Sequence, residues 1–384
     1  MTDSHGHLSV RDRTRDDLYK LISSGEGLTR PDLVDLTGMS RSTINNAIGR
    51  LLVDGRIVES DAEAKGRGSG SGRPATKLVA VASGAPVGAI DFGHNHIRVA
   101  VGDSLGRPFG ERSIEVDVDL RAQQSMRIAA DLLRELREEH SLESLSTVVA
   151  GIPGPLDRYS GLVKSPTILS GWVELAPAAE LQALIDVPVR VENDAVLGAY
   201  GELHRGAGKQ HADFLYVKAS HGIGASVIID RQPYRGANGL AGEIGHTNLP
   251  GRTESCRCGN RGCLEAVVSV QQVHEQIRHT HPGSELASID LANGDDVTGR
   301  ILNEAGRTLG GVLATLCDLL NPSAVVIGGE LGQVGSRFID GIAASIERYS
   351  QPATAAAVTV VCAELGIRAE LIGALEMATV AARR

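Results

Sequence analysis

The run GHTNLPGRTESCRCGNRGCLE, from Gly245 to Glu265, constrains this chain more than any other, because one histidine and three cysteines are packed there around glycines. Cys256, Cys258 and Cys263 lie in one short loop, and His246 precedes them on a segment that can fold back. Four borderline-to-soft donors can then reach tetrahedral geometry around a single ion, which reads as a zinc site. Gly259, Asn260 and Gly262 supply the turns that such a closed loop needs. Four protein ligands leave no position for an activated water, so the metal is expected to brace a loop and not to perform chemistry.

A length of 384 residues implies two or three domains and ample core. No apolar run approaches the ~20 residues needed to span a bilayer, and the N-terminus lacks a secretory apolar segment, so a cytoplasmic protein is expected. Of the five cysteines, Cys317 and Cys362 remain outside the metal set, in apolar settings that predict buried thiols. The net charge of -9 argues against nonspecific coating of nucleic acid, but it is unevenly spread. Residues 1–80 hold 12 Lys+Arg against 11 Asp+Glu, the remainder 26 against 36, and Arg41–Lys77 holds seven against four. A DNA footprint would lie in that last stretch.

The first 82 residues read as three short helices and a wing. Thr14–Ser24 carries Leu18, Leu21 and Ile22 at helical spacing. Thr29 opens a capping-box-like Thr-Arg-Pro-Asp, after which Leu33, Val34 and Leu36 supply an apolar face. Gly38 breaks the chain, and Ser40 can cap a third helix with Ile44, Ile48, Leu51 and Leu52 inward. Arg41, Ser42, Thr43, Asn45, Asn46 and Arg50 then face outward. Arginine and asparagine can contact base edges, and serine and threonine suit phosphates. Arg56–Glu59 and Thr76–Val79 predict two strands around the basic, glycine-rich stretch Lys65–Pro74. Its Gly72-Arg73-Pro74 is similar to an AT-hook core, making Arg67 and Arg73 candidates for a minor groove; a plain linker is the alternative.

From Pro86 onward strands and helices alternate. The strand-turn-strand of Val87–Asp91 and Ile97–Val101 is repeated by Phe214–Lys218 and Ala225–Ile229 around Gly222 and Gly224. The metal-loop spacing, the preceding Ala241-Gly242-Glu243-Ile244-Gly245-His246, and Val191-Glu192-Asn193-Asp194-Ala195 resemble the ROK family (repressor, open reading frame, kinase) of sugar kinases and sugar-responsive repressors. The resemblance covers roughly residues 85–380. It implies an α/β fold: a winged helix-turn-helix (residues 1–82) followed by a two-lobed actin-like ATPase (ribonuclease-H-like) domain (83–384), with glycine tips facing a central cleft and Asn321–Glu330 on the adenosine side. It also carries the zinc ligands onto His246, Cys256, Cys258 and Cys263, and sugar-hydroxyl contacts onto Asn193, Asp194, Glu243, His246 and Glu265. Asp194 would be the general base if the protein were kinase-active. An N-cap role for Asn193-Asp194 is compatible with ligand contact. His246 could serve metal and sugar through its two ring nitrogens.

The chain departs from the family pattern at three places. Thr167 replaces an asparagine that contacts sugar in the family, and neighbouring Trp172 reads as a core anchor. The first phosphate tip is Asp91-Phe-Gly-His-Asn-His96 in place of a Gly-Gly-Thr-like run, and the second carries His221 where kinases have threonine. Imidazoles at both tips argue against phosphoryl transfer and leave ATP and Mg2+ doubtful as cofactors. The expected function is a sugar-responsive transcriptional regulator, a repressor, working as a homodimer or homotetramer on a palindromic double-stranded operator, with a sugar or sugar phosphate as effector. The alternative is an ATP-dependent sugar kinase with a fused DNA-binding head.

Overall fold

The computed structural model of the chain describes residues 10–24, 27–60, 76–164, 167, 169–282 and 294–383. Arg67 and Arg73, in the glycine-rich stretch, lie outside them. The chain divides into two compact units, residues 1–85 with 103–105, and residues 86–102 with 106–384.

In the first unit α1 (Val10–Ser24), α2 (Arg30–Thr37) and α3 (Arg41–Val53) precede an antiparallel pair, β1 (Ile57–Ser60) and β2 (Lys77–Ala80). Local chemistry sets the helix ends. The Thr29 hydroxyl accepts from the Asp32 amide while the Asp32 carboxylate accepts from the Thr29 amide, and Ser40 caps α3 through the Thr43 amide. Gly38 ends α2 with φ +66°, a conformation that costs glycine nothing. Leu18, Ile22, Leu33, Ile44, Ile48, Leu51 and Ile57 close the core. Leu36 does not join it and is 62% exposed. With Leu33 and Val34 turned inward, Leu36 lies about 110° further round the helix.

The second unit contains two sheets of the same topology. In lobe one β3 (Val87–Phe92), β4 (His96–Gly102) and β5 (Pro108–Glu115) are followed by α4 (Ala122–Glu139), β6 (Val148–Ile152), α5 (Pro177–Ile185), β7 (Val189–Asn193) and α6 (Asp194–Arg205). The strand order is β5-β4-β3-β6-β7, antiparallel among the first three and parallel beyond. Lobe two repeats this with β8 (Phe214–Ala219), β9 (Ile223–Ile229) and β10 (Gln232–Tyr234). After α7 (Glu265–Val268), α8 (Val270–Thr280) and α9 (Asp296–Leu320) come β11 (Ala324–Gly328), α10 (Gly329–Gly332), α11 (Ser336–Tyr349), α12 (Pro352–Ala357) and β12 (Thr359–Cys362). Its order is β10-β9-β8-β11-β12. The central strands β3, β6 and β11 are buried on both faces, as parallel pairing under helices requires.

The last helix, α13 (Ala369–Ala382), leaves lobe two and packs on lobe one, where Leu371, Ala374, Leu375 and Ala378 meet Val87, Ala89, Ala100 and Val149. It crosses α6 so closely that a Cβ on Gly373 would lie 1.8 Å from the Leu197 carbonyl oxygen, and one on Gly201 2.4 Å from that of Ala369. Cys317 is buried, as expected, but Cys362 is exposed. It is the last residue of β12, the edge strand of its sheet. No helix among the described residues is long and apolar enough to cross a membrane.

Gly373→Ala is expected to lower unfolding stability by about 3 kcal/mol in urea, since backbone must move to admit the methyl. Gly311→Ala, mid-α9 with nothing within 4 Å of the new carbon, should be neutral or stabilising by about 0.5–1 kcal/mol.

Candidate ligand cleft and metal loop

Five expected sugar-side residues, Asn193, Asp194, Glu243, His246 and Glu265, line one pocket between the lobes of the second unit, together with both glycine tips. Asn193 ends β7 and caps α6, its side-chain oxygen accepting from the Val196 amide while its amide nitrogen donates to the Gly154 carbonyl at 3.1 Å. The cap fixes the side chain that borders the pocket. Glu243 and His246 are placed by tight packing of their segment against β9. A Cβ on Gly242 would lie 1.9 Å from the Ala225 oxygen, and one on Gly245 2.3 Å from that of Ile223. Glu265, at the start of α7, accepts from the Ile223 amide at 3.1 Å. Thr167 is exposed, and Trp172 is a core anchor: fully buried, edge-on to Phe92, and donating from Nε1 to the Val118 oxygen at 2.9 Å.

The metal-ligand set also converges. The donor atoms of His246, Cys256, Cys258 and Cys263 all lie within 4.8 Å of one another. Cys258 and Cys263 sulfurs are 3.7 Å apart, and Cys256 Sγ is 3.6 Å from His246 Nδ1. A tetrahedral centre with Zn–S of about 2.3 Å and Zn–N of about 2.1 Å has edges of about 3.8 and 3.6 Å. His246 therefore turns Nδ1 to the sulfurs, while Nε2 is on the side of Glu243, 3.9 Å away. Backbone bonds tie the loop independently of any ion, from Cys256 N to the Asn260 oxygen and from Leu264 N to that of Thr247.

At the phosphate tips the histidines are bound to carboxylates. His96 packs over Gly93, where a Cβ would come within 2.1 Å of its ring, and its Nε2 meets Asp91 at 3.1 Å. Arg98 joins the same Asp91 oxygen at 3.3 Å. Burial alone would raise the Asp91 pKa, but His96, Lys218 and Arg98 hold it below the usual carboxylate value. His94 is 2.7 Å from Asp119. His221 is 3.4 Å from Glu330, whose carboxylate also accepts from Ser220. Their hydrogen bond raises the His221 pKa and lowers that of Glu330. The His96 ring thus stands over Gly93 at the first tip, and the Glu330 carboxylate stands at Ser220 and His221 at the second.

Asp194 is engaged as well. Lys218 Nζ donates to its Oδ2 at 2.8 Å and lies 3.4 Å from Glu370. Burial would depress the lysine pKa, but Asp194, Glu370 and Asp91 outweigh it and hold it above its ordinary value. Burial pushes Glu370 up to about 7 against the pull of Lys218. The Asp194 carboxylate remains a hydrogen-bond acceptor at the pocket wall. The sequence reading missed Lys218, although a lone lysine in the apolar run Phe214–Ala219 was a usable signal. Glu330, Asp119 and Glu370 carried none, because their partners come from distant segments.

In the first unit Arg41, Ser42, Thr43, Asn45, Asn46 and Arg50 all lie on the exposed face of α3.

Residues 87–381 match the family described as "ROK family". The xylose repressor of Bacillus subtilis (strain 168) is 30% identical over 321 residues, covering 81% of this chain and 80% of that protein. The DNA-binding transcriptional repressor Mlc of Escherichia coli (strain K12) is 25% identical over 383 residues, 96% of this chain and 94% of that one. The crystal structure of a ROK family glucokinase from Streptomyces griseus, in complex with glucose and AMPPNP, superposes with a TM-score of 0.67 at 27% identity, covering 77% of this chain and 99% of the kinase.

Because the folded-state pKa of Glu370 is raised, the native state binds the proton more tightly than the unfolded chain. Its contribution favours folding at low pH and is lost as pH rises from the unfolded carboxylate value towards about 7. Denaturation from pH 5 to 8 should show Glu370→Gln losing part of the wild-type decline in stability.

Proposed function

The chain belongs to the ROK family, and from that premise we propose that it is a sugar-responsive transcriptional regulator, a repressor whose operator affinity changes when sugar enters the cleft. One observation carries this reading: the sugar-side groups border a shared pocket while both phosphate tips are closed by carboxylate-bound histidines. A ligand can be held by such a site, but a phosphoryl group has no cradle. Asp194, held by Lys218, is an acceptor for a sugar hydroxyl alongside Asn193, Glu243, His246 and Glu265. The kinase reading, for which Asp194 would be the base, loses support at the same residues.

The N-terminal unit is the DNA-binding head, a winged helix-turn-helix of residues 1–82. Its exposed Arg41, Asn45, Asn46 and Arg50 on α3 suit base edges in a major groove, and Ser42 and Thr43 suit phosphates. The match to Mlc along 96% of this chain supports this, whereas the glucokinase extends over only 77%. The operator is palindromic and the protein a homo-oligomer, because a paired head reads two half-sites. The names of the relatives make xylose the first effector to try.

Zinc is the metal that suits three thiolates and an imidazole at these distances. It would brace the loop between His246 and Glu265, and so hold two pocket residues in place. The purified protein should carry one zinc per chain by elemental analysis, and Cys258→Ser should lose it together with several degrees of thermal stability. Retention of full zinc in that variant would show the ligand set to be wrong.

Thermal shift with xylose, glucose and other monosaccharides, with and without Mg-ATP and coupled to ADP detection, tests the function. One sugar should stabilise the protein, by about 2.7 kcal/mol at a hundred times its Kd, without ADP release. Asp194→Asn should abolish the shift. Sugar-dependent ADP formation would replace the regulator with the kinase.

A further inference from the structure

Beyond the sugar-side residues the cleft widens into a second cavity of about 700 Å3, against about 80 Å3 for the inner pocket. The inner space accommodates about six waters, on the scale of a single sugar ring. The outer one lies within the roughly 300–1,000 Å3 typical of ligand sites. The two adjoin: His94, Asn95, His221, Gly222 and Glu265 line both.

Opposite lobes supply the walls of the outer cavity. Lobe one contributes the strip after β5, held by Val116 N and Val118 N donating to the Asn95 and His94 oxygens at 3.0 and 3.1 Å, and by Gly171 N donating to Asp119 O at 3.0 Å. Lobe two contributes the metal loop at Arg257 and the start of α8 at Gln271 and Gln272. Asp119 joins the two sides, with Oδ1 2.7 Å from His94 Nδ1 and Oδ2 accepting from Arg257 at 3.1 Å. Arg257 stands between the ligands Cys256 and Cys258, so the same loop geometry that gathers the metal donors sets this wall.

The lining chemistry selects the ligand class. Glu115, Asp117, Asp119 and Glu265 face one guanidinium, already paired, and two imidazoles. Such a wall disfavours phosphate and nucleotide. Carboxylate and amide oxygens instead offer acceptors for the many hydroxyl donors of an uncharged sugar. We propose that the outer cavity is a second sugar subsite, so that the protein takes a neutral disaccharide or longer oligosaccharide, with one ring in the inner pocket and the next against Gln271, Gln272 and the 115–119 strip. This rests on the sensor reading above. It differs from that reading in making a neighbouring ring, and not the first ring alone, a source of affinity, and because its walls come from both lobes the second ring bridges the cleft.

Calorimetry on the full-length protein tests it with xylose, glucose and galactose against xylobiose, cellobiose, maltose and lactose. At least one disaccharide should bind about tenfold tighter than its own monosaccharide, roughly 1.4 kcal/mol. The Gln271→Ala/Gln272→Ala double variant should erase that gain and leave the monosaccharide Kd unchanged. A monosaccharide that binds as tightly as its disaccharides, or a gain that survives in the double variant, overturns the subsite and leaves the sensor intact. Binding of ATP that displaces the disaccharide also overturns it. If no sugar of either length binds, the sensor reading fails and the subsite with it.

Discussion

The ion cluster at Lys218 holds the sensor unit together. Its ammonium, from the central strand of lobe two, meets Asp194 at the first residue of α6 and Glu370 in the first turn of α13. One of those helices grows out of lobe one and the other returns to it, so three segments far apart in sequence are fixed at one point. Each acid also sits where a helix N-terminus favours negative charge. Removing the Lys218 ammonium would leave the buried acids without their shared counter-charge, which costs far more than the net worth of the cluster. The close crossing of α6 and α13 at Gly201 and Gly373 needs those helix starts in register.

The same cluster reaches the cleft, since Asp194 and Lys218 both line the inner pocket. Asp194 borders the pocket with its Oδ2 already accepting from Lys218. At the tips, His96 and His221 pair with Asp91 and Glu330. The imidazoles and carboxylates at the tips are therefore bonded to one another, while Asn193, Glu243, His246 and Glu265 line the pocket wall.

The metal loop extends the pocket outward. His246 turns one ring nitrogen to the sulfurs and the other to the side of Glu243, and Arg257, between Cys256 and Cys258, reaches Asp119 on the opposite lobe. Loop geometry, pocket lining and lobe contact are consequently not independent, which is how a structural ion could influence binding without touching chemistry.

Local sequence alone determined a good deal here. The Thr29 capping box, the Gly38 turn and the Ser40 cap fix the helices of the first unit because their partners lie within four residues. The spacing of His246, Cys256, Cys258 and Cys263 makes a shared ion site readable because a short closed loop leaves few alternatives. The repeated strand-turn-strand pattern of Val87–Val101 and Phe214–Ile229 anticipated two equivalent sheets. Helical periodicity was less decisive for Leu36, since an eight-residue helix buries too narrow a face to take in a residue about 110° from Leu33 and Val34. Cys362 was misread because an apolar run does not reveal that its strand lies at the sheet edge. Only the tertiary structure decided the pairings of Lys218 with Asp194 and Glu370, of His221 with Glu330, and of Asp119 with His94 and Arg257. Those partners are separated by tens to hundreds of positions, and a charge's role is set by what folding brings within about 4 Å of it, which no local pattern encodes.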